Sequence, residues 1–320
     1  MEKLICTDGM VNEVSKKYGF GSVREMKKLS GGYANINYKV TTGSGDYLYR
    51  WCTQQTPEMV QYEIRLMQKL KENAFPAAYP YPTLDGQYFV VIEGYYVMLY
   101  EFKEGKEPEA NEKTASRMAT AIGKLANVTG VDDFRSKGNV INMEACVQLI
   151  KDFPKATYSY PDIYGFFEKK VLQLQPLVNE ALPKGLVHGD AFPNNTIFKG
   201  NELVAVIDFE EACVDHLLFD VGMTINGFCF VDNRLDLSLL QCFIATYQSE
   251  RTLEEKEIEL LPQFIQWCAL GMASWHLRFD MLHTYNKDQV DRVRQLLSRV
   301  AAMDADMENI KRNIQGLIKT

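Results

Sequence analysis

The sequence predicts an α+β protein in two parts, a small antiparallel sheet followed by a larger, mainly helical region. Three observations carry this. Short runs with partial apolar alternation, set between glycine-bearing turns, fill the first hundred positions. After Gly105 the apolar spacing lengthens to that of amphipathic helices. Between the two regimes lies "KEGKEP" (103–108), a polar stretch with Gly105 and Pro108, which sets the division at 1–104 and 105–320.

The elements follow in order. "VREMKKLS" and "INYKVTT" read as strands, separated by Gly31-Gly32-Tyr33-Ala34-Asn35. In "TTGSGDYLYRW" the chain turns at Gly43, Ser44 and Gly45 and returns through Tyr47 to Trp51, a hairpin signal. "PEMVQYEIRLMQKLKEN" spaces Met59, Val60, Ile64, Met67 and Leu70 as one helix face, with Thr56 or Thr53 as cap and Pro57 in the first turn. "LDGQYFVVIEGYYVMLYEF" holds Asp85-Gly86 and Glu93-Gly94 turns and gives two more strands. The first part is thus about five strands with one helix inserted after the third. Beyond it, "EANEKTASRMATAIGKLANVTG", "MEACVQLIKDF", "DIYGFFEKKVLQLQPLVNEAL" and most of 236–318 read as helices. A hairpin around Lys199-Gly200-Asn201 interrupts them.

Composition narrows the function classes. Hydrophobic residues make up 46% of 320, enough for a folded core. The net charge is −7 and no long basic tract occurs, which argues against nucleic acid or an anionic membrane as partner. The seven cysteines are odd in number and form no C-x-x-C pair, the pattern of reduced thiols in a cytoplasmic protein. "MEKLICTDGMVNEV" has acidic residues where a leader needs an apolar run. No stretch of ~18 apolar residues predicts a membrane span. "LLPQFIQWCALGMASWHL" reads as a buried helix instead.

Chemistry concentrates in "LVHGDAFPNNTIF" (186–198) and in "VAVIDF", which ends the hairpin at Asp208. Asp190, Asn195 and Asp208 would meet if the hairpin folds back on the loop. One carboxylate and one amide oxygen suit Mg²⁺, a hard cation that takes its remaining ligands from water and substrate phosphates. The other carboxylate is then left to accept a hydroxyl proton, the division of labour that phosphoryl transfer needs. His188 has no other histidine at ligand spacing, so it reads as a hydrogen-bonding pin for the loop.

"HGDAFPNNTIF…VAVIDFEEA…FDVG" resembles the aminoglycoside phosphotransferase/choline kinase superfamily, whose fold is protein-kinase-like and two-lobed. The resemblance spans nearly the whole chain in the right order. It implies a nucleotide-binding lobe over 1–104, a catalytic and acceptor-binding lobe over 105–320, and ATP and Mg²⁺ as cofactors. Asp190 would be the catalytic base, with Asn195 and Asp208 on the metal. "LSGGYANINYKV" matches the loop over the nucleotide, where Gly31, Gly32 and Tyr33 would offer backbone N–H groups to the phosphates. "YLYRW" and "YEIRLMQKL" match the strand and helix that hold the phosphate-binding cation, here Arg50 oriented by Glu63. Many kinases place lysine there, and the planar guanidinium demands a different geometry. "VMLYEFKEG" matches the hinge, with Tyr100, Glu101 and Phe102 against adenine. Asp220 would tether the catalytic loop.

From Asp208 to Asp220 there is almost no chain in which to build an activation segment, so a small-molecule acceptor is expected. Within the superfamily, "ACVDHLLFDVGMTINGFCF" and the segment around "ASWHLRFD" are similar to the homoserine kinases of this fold. Trp275 and Arg278, one helical turn apart, would face one way, and Arg278 could bind a substrate carboxylate. Pro193-Asn194 and Glu210-Glu211 depart from that subgroup. Glu210 would add a carboxylate near the acceptor and favour a cationic amino group on it. Homoserine leads the candidates, with amino sugars, aminoglycosides, hydroxylysine and choline behind it. A non-catalytic nucleotide-binding module is the reading from another class.

Overall fold

The computed structural model describes residues 6–29, 35–135 and 137–316, with the backbone alone at Asp280. The chain forms two units. One comprises 1–105 together with 204–210, and the other 106–203 together with 211–320.

The first unit is built on a five-stranded antiparallel sheet of order β1-β2-β3-β5-β4. The strands are β1 (Val23–Lys28), β2 (Asn35–Thr42), β3 (Asp46–Cys52), β4 (Val90–Ile92) and β5 (Tyr95–Glu101). The β4–β5 turn places Glu93 (φ 49°) and Gly94 (φ 81°) in the left-handed region, as a two-residue hairpin with right-handed strand twist requires. Central β3 is covered on both faces, and its period of two sorts its side chains. Tyr47, Tyr49 and Trp51 pack with Val11, Val14 and Tyr18 of α1 (Asp8–Tyr18). Cys52, on the opposite face, packs with Val60 and Ile64 of α2 (Pro57–Glu72). Arg50, two residues before Cys52, therefore also faces α2.

Helix α2 starts as the sequence predicts, with Thr56 Oγ1 accepting from Met59 N–H and Pro57 in the first turn. Helix α1 was not anticipated. Thr7 caps its start and Gly19 (φ 73°) its end, while Val11, Val14 and Tyr18 supply a buried stripe. Those are ordinary helix signals in a stretch that looks merely polar at its start.

In the second unit, α3 (Glu112–Ala126), α4 (Met143–Asp152) and α5 (Pro161–Leu174) come first. A ribbon of β6 (Lys184–Val187) and β9 (Cys213–His216) follows, and between its strands in sequence come β7 (Thr196–Lys199) and its hairpin partner β8 (Glu202–Val206), which from residue 204 belongs to the first unit. Then come α6 (Leu217–Phe228), the short pair β10 (Phe230–Val231) and β11 (Arg234–Leu235), α7 (Leu237–Glu250), α8 (Glu255–His276), α9 (Lys287–Ala305) and α10 (Met307–Gly316). Helix α6 is buried almost all round, and α8 buries Leu261, Phe264, Ile265 and Cys268. The β6–β9 ribbon and α6 were also not anticipated. Four-residue strands are too short for alternation to show, and a helix buried on every side has no amphipathic stripe. All seven cysteines are free thiols. Among the described residues no helix is long and apolar enough to cross a membrane.

Two helical glycines make opposite predictions. A Cβ at Gly123 of α3 would lie 2.5 Å from Glu250 Cβ of α7, so the helices could not stay this close. Nothing lies within 4 Å of a Cβ at Gly165 of α5. Gly165→Ala should stabilise by about 0.5–1 kcal/mol through helix propensity alone. Gly123→Ala should lose about 1–3 kcal/mol to overpacking despite the same propensity gain. Urea unfolding of both variants checks the two signs.

Candidate active site

In the second unit, the loop after β6 is held by one buried carboxylate. Asp220, in the first turns of α6, accepts from His188 N–H (Oδ2, 2.6 Å) and from Gly189 N–H (Oδ1, 3.0 Å). Gly189 has φ 83°, and a Cβ there would sit 3.0 Å from the Glu211 carbonyl oxygen, so the position suits glycine alone. His188 is fully buried, and its Nδ1 accepts the Asp190 N–H at 3.2 Å, which requires Nδ1 to carry no proton. It pins the loop, as expected.

Asp190 is half-buried, and Asn195 closes on it from a 3₁₀ turn (Pro193–Asn195). Asn195 Nδ2 donates to Asp190 Oδ2 (2.7 Å) and to the Asp190 carbonyl oxygen (2.9 Å). The amide nitrogen is thereby committed to Asp190. Its oxygen, Oδ1, accepts from Asn194 Nδ2 at 3.2 Å.

In the first unit, the buried guanidinium of Arg50 gathers carboxylates. Nη1 lies 2.6 Å from Glu63 Oε1 of α2, and Nη2 lies 2.7 Å from Glu210 Oε2 and 3.8 Å from Asp208 Oδ1. Burial opposes the charge on Arg50. Glu63, then Tyr100, Asp208 and Glu210, outweigh that opposition and raise its pKa well above the usual value. Tyr100 donates its hydroxyl to Glu63 Oε1 at 3.0 Å. Burial, reinforced by the Glu63 anion, pushes that hydroxyl's pKa far up and keeps it a donor. Gln55 Nε2 bridges Glu63 Oε2 (3.1 Å) and Glu210 Oε2 (3.0 Å). Asn35 Nδ2 adds a bond to Glu210 Oε2 at 2.9 Å.

Asp208 takes φ 66°, a left-handed conformation that is strained for a non-glycine residue and common at functional sites. Its side chain is 40% exposed, while Phe209 beside it is buried edge-on against Phe75. Tyr100 and Glu101 end β5, opposite Leu48 and Tyr47 of β3, and Lys39 Nζ lies 4.5 Å from the centre of the Phe102 ring just beyond. Gly31, Gly32 and Tyr33 lie outside the described residues.

One expectation about the acceptor is corrected. Glu210 does not stand as a spare carboxylate, because Oε2 already accepts from Arg50, Gln55 and Asn35. Trp275 and Arg278 both meet Phe279, the Trp275 ring centre at 5.3 Å and the Arg278 guanidinium at 5.7 Å from the centre of that ring. Helix α8 ends at His276, and Leu277–Met281 form a π turn, with Leu282 N–H donating to the Leu277 carbonyl. Arg278 Nη2 also donates to the Ala145 carbonyl at 3.3 Å. Asn35, Gln55 and the Tyr100 hydroxyl were missed, because no local spacing marks a side chain whose partner lies on another element, from 37 residues away for Tyr100–Glu63 to 175 for Asn35–Glu210.

A model of the phosphotransferase enzyme family matches residues 25–256. The chain belongs to that family and is a small-molecule kinase. It is 26% identical over 305 residues to the homoserine kinase of Nitrobacter winogradskyi, covering 91% of this chain and 93% of that one. To the homoserine kinase of Sinorhizobium medicae it is 27% identical over 274 residues, covering 83% and 82%. Among solved structures, a microcompartment-associated aminopropanol kinase superposes with TM-score 0.73 at 17% identity, over 95% of this chain and 99% of that one. The amicoumacin kinase in complex with AMP-PNP, Ca²⁺ and amicoumacin gives 0.72 at 13%, over 92% and 93%. These likenesses show the kinase-like α+β fold.

Two predictions follow from the buried charges. Glu63 is 3% exposed and Glu210 17%, so water can replace Glu210 more readily. Glu63→Gln should cost about 3 kcal/mol of stability and Glu210→Gln about 1 kcal/mol, and denaturant melts that rank them the other way would refute this division. For Asp220, burial pushes the carboxyl up to about 7 against the pull of its two amide donors. An unfolded aspartate titrates near about 3.9. Between the two values the folded chain holds a proton that the unfolded chain has released. The contribution to stability is therefore full below about pH 4 and lost as pH rises through about 7. The stability of the wild type relative to Asp220→Asn should fall from about pH 5 to about pH 7.5 and level off above about pH 8.5.

Proposed function

We propose that the chain is an ATP- and Mg²⁺-dependent kinase that phosphorylates the hydroxyl of a small, amino-group-bearing metabolite, with homoserine as the leading acceptor. The observation that carries the reading is the Asp190–Asn195 pair, a half-buried carboxylate fixed by an amide on a loop tethered through Asp220.

In this reading Asp190 accepts the proton of the acceptor hydroxyl. Asn195 holds one of its oxygens, so the carboxylate is aimed before substrate arrives. Arg50, oriented by Glu63 and Glu210, takes the α and β phosphates. Gly31, Gly32 and Tyr33 cover the phosphates, and the backbone of Tyr100, Glu101 and Phe102 receives adenine. Each donor is of a kind Mg²⁺ takes: Asp208 would offer a part-exposed carboxylate, and Asn195 an amide oxygen whose nitrogen is already engaged. When bound, the cation neutralises charge on the phosphoryl oxygens. The amicoumacin kinase complex, with AMP-PNP and Ca²⁺, supports a nucleotide and a divalent cation for this fold.

Homoserine is favoured because the curated relatives from Nitrobacter winogradskyi, Methylobacillus glycogenes and Sinorhizobium medicae are all homoserine kinases. The fold is also shared with an ethanolamine kinase of Plasmodium vivax and a choline kinase of Cryptosporidium parvum. An amino alcohol is the chemistry common to these acceptors.

The test is ADP release with L-homoserine, hydroxylysine, choline, ethanolamine and hexosamines. Homoserine should give the highest kcat/KM. Asp190→Asn should lose about 10²–10⁴-fold in kcat while ATP affinity holds. Undiminished transfer in that variant would remove Asp190 as base.

A further inference from the structure

The second unit offers another cation near the catalytic loop. Arg292 on α9 is half-buried, and its guanidinium lies 5.5 Å from the centre of the Phe192 ring. Phe192 is two residues past Asp190, on the same loop. Nη1 of Arg292 donates to Gln295 Oε1 at 2.8 Å. Its other edge, Nε and Nη2, has no acceptor among the described residues, and no carboxylate there comes within ion-pair distance of it.

Its neighbours on the helix are not in this position. Arg294 reaches Asp162 at 3.2 Å. Arg299, two turns on from Arg292, is buried and spent on structure. It donates to Asn233 Oδ1 (2.7 Å) and to the Asn226 carbonyl (2.6 Å), and stacks over Phe230. Burial works against the charge on Arg292, while Asp190 and Glu107 lie near enough to support it. Burial pushes Arg299 down to about 10, and the like charge of Arg292 adds to that. A half-buried guanidinium with an open edge and another cation behind it favours an arriving anion.

We infer that Arg292 is the carboxylate-binding subsite for the acceptor, its Nε–Nη2 edge gripping the carboxylate of a hydroxy amino acid beside Asp190. This rests on the kinase reading above. It assigns the preference for an amino acid over a bare amino alcohol to one side chain. The fork accepts a planar carboxylate through two parallel bonds, which a hydroxyl or ammonium group cannot match. The other source of an anion here is the phosphoryl group of the nucleotide, and the test separates the two.

The experiment compares L-homoserine with 3-aminopropan-1-ol, the same skeleton without its carboxylate, on the full chain. Wild type should prefer homoserine. In Arg292→Met the preference ratio, read as kcat/KM for homoserine over aminopropanol, should fall about 10–100-fold. The homoserine KM should carry that loss, while ADP affinity by calorimetry and the melting temperature hold. Arg292→Lys should recover only part, since an ammonium lacks the fork. A ratio unchanged in Arg292→Met overturns the subsite, as does a loss confined to the KM for ATP, which would make Arg292 a phosphate ligand. A wild type that turns over only carboxylate-free amines also overturns it while leaving the kinase reading intact. A wild type inactive on every acceptor tested sinks the kinase reading and the subsite with it.

Discussion

A buried positive charge organises the first unit. Arg50 occupies the central strand, with neighbours on both sides, and only 6% of it meets solvent. Such a charge is tolerated only when paired and hydrogen-bonded. A lysine could be met by one glutamate, whereas a guanidinium presents two separate nitrogens and calls for two acceptors. Glu63 takes one, from the helix that β3's alternation places on the same face. Glu210 takes the other, from a position 160 residues further along. The division of the chain follows. Residues 204–210 belong to the first unit because Glu210 answers Arg50, Phe209 packs on Phe75, and Val206 N–H donates to the Pro76 carbonyl at 2.8 Å.

The second unit solves a different problem. Its loop leaves Asp190 half-buried, so burial of that carboxylate is not what holds the loop. The stabilisation comes from behind, where Asp220 receives two consecutive backbone amides and His188 receives the third. Two consecutive N–H groups turned to one carboxylate need a sharp backbone turn, which Gly189 supplies with its left-handed φ. Strain and burial are thus placed beside Asp190, which itself stays half-buried.

Much of this was legible in the chain and some was not, for physical reasons. The strands from 23 to 52, helix α2 and the hairpin at Gly200 announce themselves because turn residues, caps and apolar periods are local signals. The polar loop stood out because histidine, aspartate and asparagine are costly between apolar runs unless they hydrogen-bond. Glu63 facing Arg50 was readable through family resemblance. The second acid was not, since nothing in "DFEEA" distinguishes a glutamate aimed at an acceptor from one aimed at an arginine. The π turn after His276 was equally invisible, and one extra residue in a turn redirects everything after it.

The cluster around Arg50 also bears on how a nucleotide would enter. One guanidinium faces three carboxylates within 4 Å, so the charge there is negative despite the arginine. Triphosphate alone would meet repulsion from Asp208 and Glu210 as well as attraction to Arg50. A divalent cation arriving with the phosphates reverses that balance, because the acids that repel the bare nucleotide attract the cation it carries. Asp208 is the most exposed of the three and lies farthest from Arg50, at 3.8 Å against 2.6 and 2.7 Å. On the proposed reading it is the carboxylate that would turn to a metal, while Glu63 and Glu210 stay paired with Arg50.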